Sequence, residues 1–178
     1  MQNMNNPESD NGHGTSITLV ILAWLLILGL MAWWFADFEE SQNNPNQQIS
    51  TRSSAVGEQE IVLQRNRYGH YVATGSINGK PVTFLLDTGA SDVSIPSDLA
   101  DTLGLERGIS QVYNTANGQI TANLTRLERI SLGGIELRNV PASINPATQG
   151  DEVLLGMSFL KDLEFTQRGD TLTIRTTR

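Results

Sequence analysis

Residues Ile17 to Ala36, ITLVILAWLLILGLMAWWFA, run for 20 positions without a charge or a proline. At about 1.5 Å per residue, a helix of that length spans roughly 30 Å, the thickness of a bilayer's hydrocarbon core. Trp33, Trp34 and Phe35 crowd one end, and such amphipathic rings settle at headgroup level. No Lys or Arg precedes the run and no small-x-small site follows it cleanly, which argues against a cleaved leader. The reading is an uncleaved anchor over 17–36 behind a polar tail, 1–16. Arg52 is the first cation after the run, so the positive-inside rule has almost nothing to count.

The next stretch, 37–58, is DFEESQNNPNQQISTRSSAVGE. Rich in Asn, Gln and Ser, it has too little apolar surface to order itself, and it reads as a flexible linker. As a random coil it reaches roughly 25 Å. Charge separates the two parts of the chain weakly. The first 56 residues hold one basic and five acidic groups, the remaining 122 hold eleven and fourteen. No basic run suits nucleic acid. The absence of Cys excludes disulfides, thiol catalysis and Cys-based zinc sites. His13 and His70 lie too far apart to suggest a metal site, and no glycine pattern suggests a phosphate loop. No cofactor is expected.

From Gln59 to Arg178 the texture becomes that of a mostly β domain. EIVLQ, HYVATGSI, PVTFLLD, DVSIP, SQVYNT and TLTIR are short β-branched or aromatic stretches punctuated by Gly, Asn and Asp. Asn78-Gly79, Asn117-Gly118 and Gly133-Gly134 mark hairpin turns. Two short helices are expected, Ser97–Leu103 with Ser97 as N-cap and Gly104 as stop, and Met157–Asp162.

Within this domain, Phe84-Leu85-Leu86-Asp87-Thr88-Gly89-Ala90-Ser91 ends an apolar strand in an acid, a hydroxyl and a glycine. The strand delivers a carboxylate to a loop at the sheet edge, and Gly89 lets the backbone turn sharply. An Asp-Thr-Gly triplet by itself often marks an ordinary turn. Context sharpens it: some 70 residues on, Val153-Leu154-Leu155-Gly156-Met157 runs an apolar strand into a glycine and a short helix. Between them lies Val112-Tyr113-Asn114-Thr115-Ala116-Asn117-Gly118-Gln119-Ile120, a hairpin with an Asn-Gly tip.

This order resembles the retropepsin-like aspartic proteases over roughly Glu60 to Arg175, and the N-terminal anchor looks like a bacterial, membrane-tethered branch of that family. The resemblance implies a closed β-sheet acid-protease lobe over 59–178, with one or two short helices, preceded by one transmembrane helix. It implies Asp87 as the catalytic acid, with Thr88, Gly89 and Ala90 as its supporting loop. Leu155 and Gly156 form the structural element crossing that loop. Ser91 and Asp92, with Tyr113, Asn114, Thr115, Ala116, Asn117 and Gly118 of the flap, are then the substrate-binding residues.

The chemistry needs two carboxylates sharing one proton, one as base toward water and the other polarising the scissile carbonyl. The chain holds one Asp-Thr-Gly and no Asp-Ser-Gly. The expectation is therefore a homodimer, with Asp87 meeting its symmetry mate. Ala90 cannot donate the hydrogen bond that Ser or Thr could offer to an ionised carboxylate, so the activity optimum is expected to be only mildly acidic. The partners expected are a peptide or protein substrate and a membrane, with no nucleic acid. Family habit puts the domain outside the cytoplasm, on a bacterial inner membrane. The alternative function is a non-catalytic dimeric peptide-binding module of the same fold.

Overall fold

The structure is a computed structural model that describes residues 12–53, 57–115 and 118–177. The chain divides into two compact units, Met1–Glu40 and Ser41–Arg178, and each is described by itself. Helix α1 (Gly12–Asn43) carries the apolar run and continues past it. Leu, Ala, Met and Trp without an internal proline suit a helix that satisfies its own backbone groups. Every side chain from 17 to 36 is exposed, so α1 is no core helix of a globular body. It is long and apolar enough to cross a membrane.

In the second unit the strands are β1 (Thr51–Ser53), β2 (Gln59–Gln64), β3 (Val72–Ile77), β4 (Lys80–Leu86) and β5 (Val93–Pro96). Helix α2 (Ser97–Leu103) follows, then β6 (Ser110–Thr115), β7 (Gly118–Leu132), β8 (Ile135–Asn145) and β9 (Glu152–Leu155). One-turn helix α3 (Met157–Leu160) precedes β10 (Leu163–Arg168) and β11 (Thr171–Thr176). Seven strands make one sheet in the order β3-β4-β9-β5-β8-β7-β6, and β3 also pairs with β7, curling the sheet closed. The other four form an antiparallel sheet, β1-β2-β11-β10. Ile61, Leu63, Phe84, Leu127, Ile130, Leu155, Phe159 and Ile174, all fully buried, fill the space between. The period-2 alternation of β2 and β11 puts Ile61, Leu63, Leu172 and Ile174 inward on neighbouring strands.

Several local expectations meet their elements. Asn78 and Gly79 take positive φ of 51° and 83°, as a tight two-residue hairpin between β3 and β4 requires. Helix α2 spans the expected residues and closes on a left-handed Gly104. Its N-cap differs: Pro96 holds that position with no side-chain cap bond, and Ser97 is the first helical residue. Pro96 ends β5 in an extended conformation at φ −56° and ψ 143°, which sets the entry into the helix directly. Helix α3 is shorter than expected and stops at Leu160.

Two larger differences involve long-range contacts. The long hairpin of β7 and β8 changes which parity faces inward. Leu127 is buried on one side of Glu128, and Ile130 and Leu132 on the other, while Ile135 gives way to Val140, Ala142 and Ile144 across Asn139. Asn139 has φ 55°, a left-handed kink that rotates the strand and breaks a simple alternation. The stretch read as a linker also departs from a free tether over its described residues. Asn44 and Asn46 are buried. Asn46 accepts from Gln64 N at 2.7 Å and donates to Gln64 O at 2.9 Å and Val72 O at 2.7 Å. The Asn44 amide donates to Thr74 Oγ1 at 2.8 Å, and β1 pairs with β2. An Asn side chain carries the same donor and acceptor groups as a peptide unit, so Asn46 links the end of β2 in one sheet to the start of β3 in the other.

Candidate active site

The apolar β4 ends beside β9 in parallel register, with Leu86 opposite Leu155. The next residues, Asp87 and Gly156, therefore leave the sheet side by side. Asp87 N donates to Leu155 O at 3.2 Å, and Leu86 N to Tyr71 O at 3.0 Å. The chain then turns. Asp87 Oδ1 accepts from Gly89 N at 2.8 Å, and Ala90 N donates to Asp87 O at 3.2 Å. A short side chain that bonds the backbone two residues on is the natural device for such a turn. It leaves the carboxyl half-buried, with Thr88, Gly89 and Ser91 exposed beside it.

Gly156 explains the apolar-apolar-glycine element. A Cβ there would sit 2.3 Å from Asp92 O and 2.6 Å from Ala90 O, so only hydrogen fits where β9 crosses the loop. Immediately after it, Met157 N donates to Ala90 O at 2.8 Å and Ser158 N to Ser91 O at 2.9 Å. Ser158 Oγ accepts from Val93 N at 2.9 Å and donates to Pro141 O at 2.8 Å. The loop is thus gripped along its length by the start of α3. Ser158 was not visible as a site residue in the sequence, because a serine opening a short helix carries no mark of its bonding partners.

Two cavities flank the loop. One, of about 370 Å³, opens at Asp87 and Thr88 and is lined by Tyr71, Leu160, Phe165 and Leu172. The other, of about 650 Å³, opens beside Asp92 against Leu105 and Leu124. The larger one is not lined by Asp87.

The hairpin of β6 and β7 brings one further residue to the loop. The Tyr113 hydroxyl donates to Asp92 Oδ2 at 2.8 Å. Burial pushes the Tyr113 phenol up to about 12, and the Asp92 carboxylate beside it adds to the effect. Asn114, Thr115 and Gly118 bond within the hairpin: Gln119 Nε2 reaches Asn114 Oδ1 at 3.0 Å, and Thr115 Oγ1 reaches Gly118 O at 2.8 Å. Ala116 and Asn117, expected at the tip, lie outside the described residues. Among the described residues no group of three or more His, Asp or Glu is placed to hold a metal ion.

Residues 73–162 match the profile of the family described as "gag-polyprotein putative aspartyl protease". An uncharacterized protein encoded in the cobV 5' region of a Sinorhizobium species is 39% identical over 127 residues, covering 69% of this chain and 54% of that protein. An uncharacterized protein of Rickettsia prowazekii (strain Madrid E) is 32% identical over 112 residues, 61% of this chain and 47% of that one. The chain therefore spans about half the length of these curated relatives. The crystal structure of a retropepsin-like aspartic protease from Rickettsia conorii superposes with a TM-score of 0.55 at 28% identity, covering 72% of this chain and 95% of that one.

Proposed function

The chain belongs to the gag-polyprotein aspartyl protease family and has a retropepsin-like fold, and from that premise we propose that it is an aspartic endopeptidase active as a homodimer. The observation that carries this reading is the Asp87 turn. A half-exposed carboxyl is held by Gly89 N on a loop that Gly156 crosses, and the chain has a single Asp-Thr-Gly to offer. Two chains related by a two-fold axis bring two Asp87 carboxyls together. Carboxylates that close cannot both ionise, so the pair holds one proton. The ionised member takes a proton from water as the oxygen attacks the peptide carbonyl. The protonated member donates to the carbonyl oxygen. The carboxyl that took the water's proton then passes it to the amide nitrogen, and the other takes a proton from a gem-diol hydroxyl. The C–N bond breaks to release amine and acid, with the pair again holding one proton.

Thr88 stands exposed at the same lip and is assigned the grip on the partner loop; Gly89 offers its carbonyl to substrate. The half-apolar cavity at Asp87, with Phe165 partly exposed on edge strand β10, supports a docking face on that side. The hairpin of β6 and β7 is assigned the role of the flap, closing over an extended peptide. Helix α1 serves as a single-pass anchor in a bacterial inner membrane, with the domain outside the cytoplasm. Its apolar run, uncharged and exposed from 17 to 36, supports the anchoring. Tethering in one bilayer raises the local concentration of chains and favours a weak dimer.

The test is a peptide-library digest by the full chain in lipid nanodiscs between pH 4 and 7. Asp87→Asn is expected to reduce cleavage by about 10³-fold or more. Activity is expected to climb more steeply than linearly with chain density in the disc. Binding of peptides without any cleavage by the unsubstituted chain would replace the enzyme with a capture module.

A further inference from the structure

Tyr113 and Asp92 sit on different elements, strand β6 and the loop before β5. Asp92 closes the loop that begins at Asp87. Its carbonyl lies against Gly156, and its successor Val93 is fully buried with its N–H on Ser158 Oγ. Tyr113 lies on β6, the last strand of the seven-stranded sheet, which pairs with β7 alone in the strand order. Around it Gln111, Val112, Asn114 and Thr115 are exposed. A two-stranded ribbon with so little buried surface is marginal by itself. The Tyr113 hydroxyl bridges this ribbon to the fixed loop at 2.8 Å.

We infer that the Tyr113–Asp92 bond is an intrachain tie that positions the β6–β7 hairpin against the loop of the catalytic acid. Tyr113 is then a positioning residue, and its hydroxyl is committed to Asp92 rather than offered to substrate. The bond is charge-assisted, which makes it stronger than a neutral one. With the tie in place the hairpin is already ordered, and a substrate does not spend binding free energy ordering it. The kinetic consequence rests on the protease reading; the tie as a structural device does not.

Two measurements on the full chain in nanodiscs decide it. Backbone hydrogen exchange in Tyr113→Phe is expected to speed up about tenfold at residues 111–115 and 118–122, with β2 and β11 unchanged. In peptide cleavage the same variant is expected to raise KM about tenfold and leave kcat within about twofold. Asp92→Asn keeps an acceptor oxygen but loses the charge, and its exchange rates and KM should fall between those of the unsubstituted chain and Tyr113→Phe. Asp92→Ala should match Tyr113→Phe, and the double variant should be no worse than either. Unchanged exchange in Tyr113→Phe, a loss confined to kcat, or additive single effects would each overturn the tie. Should the unsubstituted chain cut no peptide at all, the protease reading falls while the exchange measurement still decides the tie.

Discussion

The Asp87 loop and the β6–β7 hairpin are neighbours built on opposite principles. The loop is bonded through its backbone to β9 and α3, from Asp87 N on Leu155 O to Ser158 N on Ser91 O, and it is crossed so tightly that a methyl group has no room. The hairpin satisfies its ladder within itself and reaches the loop through a side chain, Tyr113. Backbone bonds in a packed site leave few alternative conformations, whereas a side-chain tie can open and reform. On the proposed function, the acid gains from the first arrangement and the flap over a peptide gains from the second.

The contrast can be broken most severely at Gly156. Gly156→Ala puts a methyl 2.3 Å from Asp92 O, and the obstacle is backbone, so the loop itself has to shift. A displacement on the order of 1 Å at a reacting group costs about 100-fold, and kcat/KM is expected to fall by at least that much. An active Gly156→Ala enzyme with an unchanged melting temperature would show that the loop is softer than its bonding implies. Ser158→Ala is milder. It leaves the part-buried Val93 N without its partner, a loss of about 1 kcal/mol in denaturant titration, with no change in the exchange of the hairpin amides. Hairpin amides that loosened as much as the loop would erase the distinction between the two regions.

The smallest expected effect is at Ala90. On the proposed pairing of two Asp87 carboxyls, Ala90→Ser adds a hydroxyl that can donate to the ionised one. The ionised form is then favoured, so the acidic limb of the pH–rate profile moves toward lower pH by a fraction of a unit. A profile that stays put, or moves the other way, would place the Ser hydroxyl out of reach of the carboxyl.

Much of this arrangement was legible residue by residue. Val82 and Phe84 alternate inward on β4, Asn78-Gly79 turns the hairpin before it, and Leu155-Gly156 announces a crossing that only a glycine permits. The long hairpin of β7 and β8 was not, because the kink at Asn139 switches its inward parity, and a period-2 signal cannot survive a switch. Nor was the docking of 44–53. Its Asn and Gln composition is that of a tether, yet Asn46 finds Gln64 and Val72 as partners. A polar side chain reads as solvated until a partner far along the chain claims it.

The amino-acid sequence by itself determined the periodic and the local: an apolar run of bilayer length, the strand stretches and turns, and one acid on a glycine turn. These follow from side-chain chemistry and backbone freedom within a few residues. Only the tertiary structure decided that Leu86 registers with Leu155, that Gly156 lies under Asp92 and that the Tyr113 hydroxyl donates a hydrogen bond to the Asp92 carboxylate. Those pairings join residues 21 to 69 positions apart, and their energy depends on distances that no local pattern encodes.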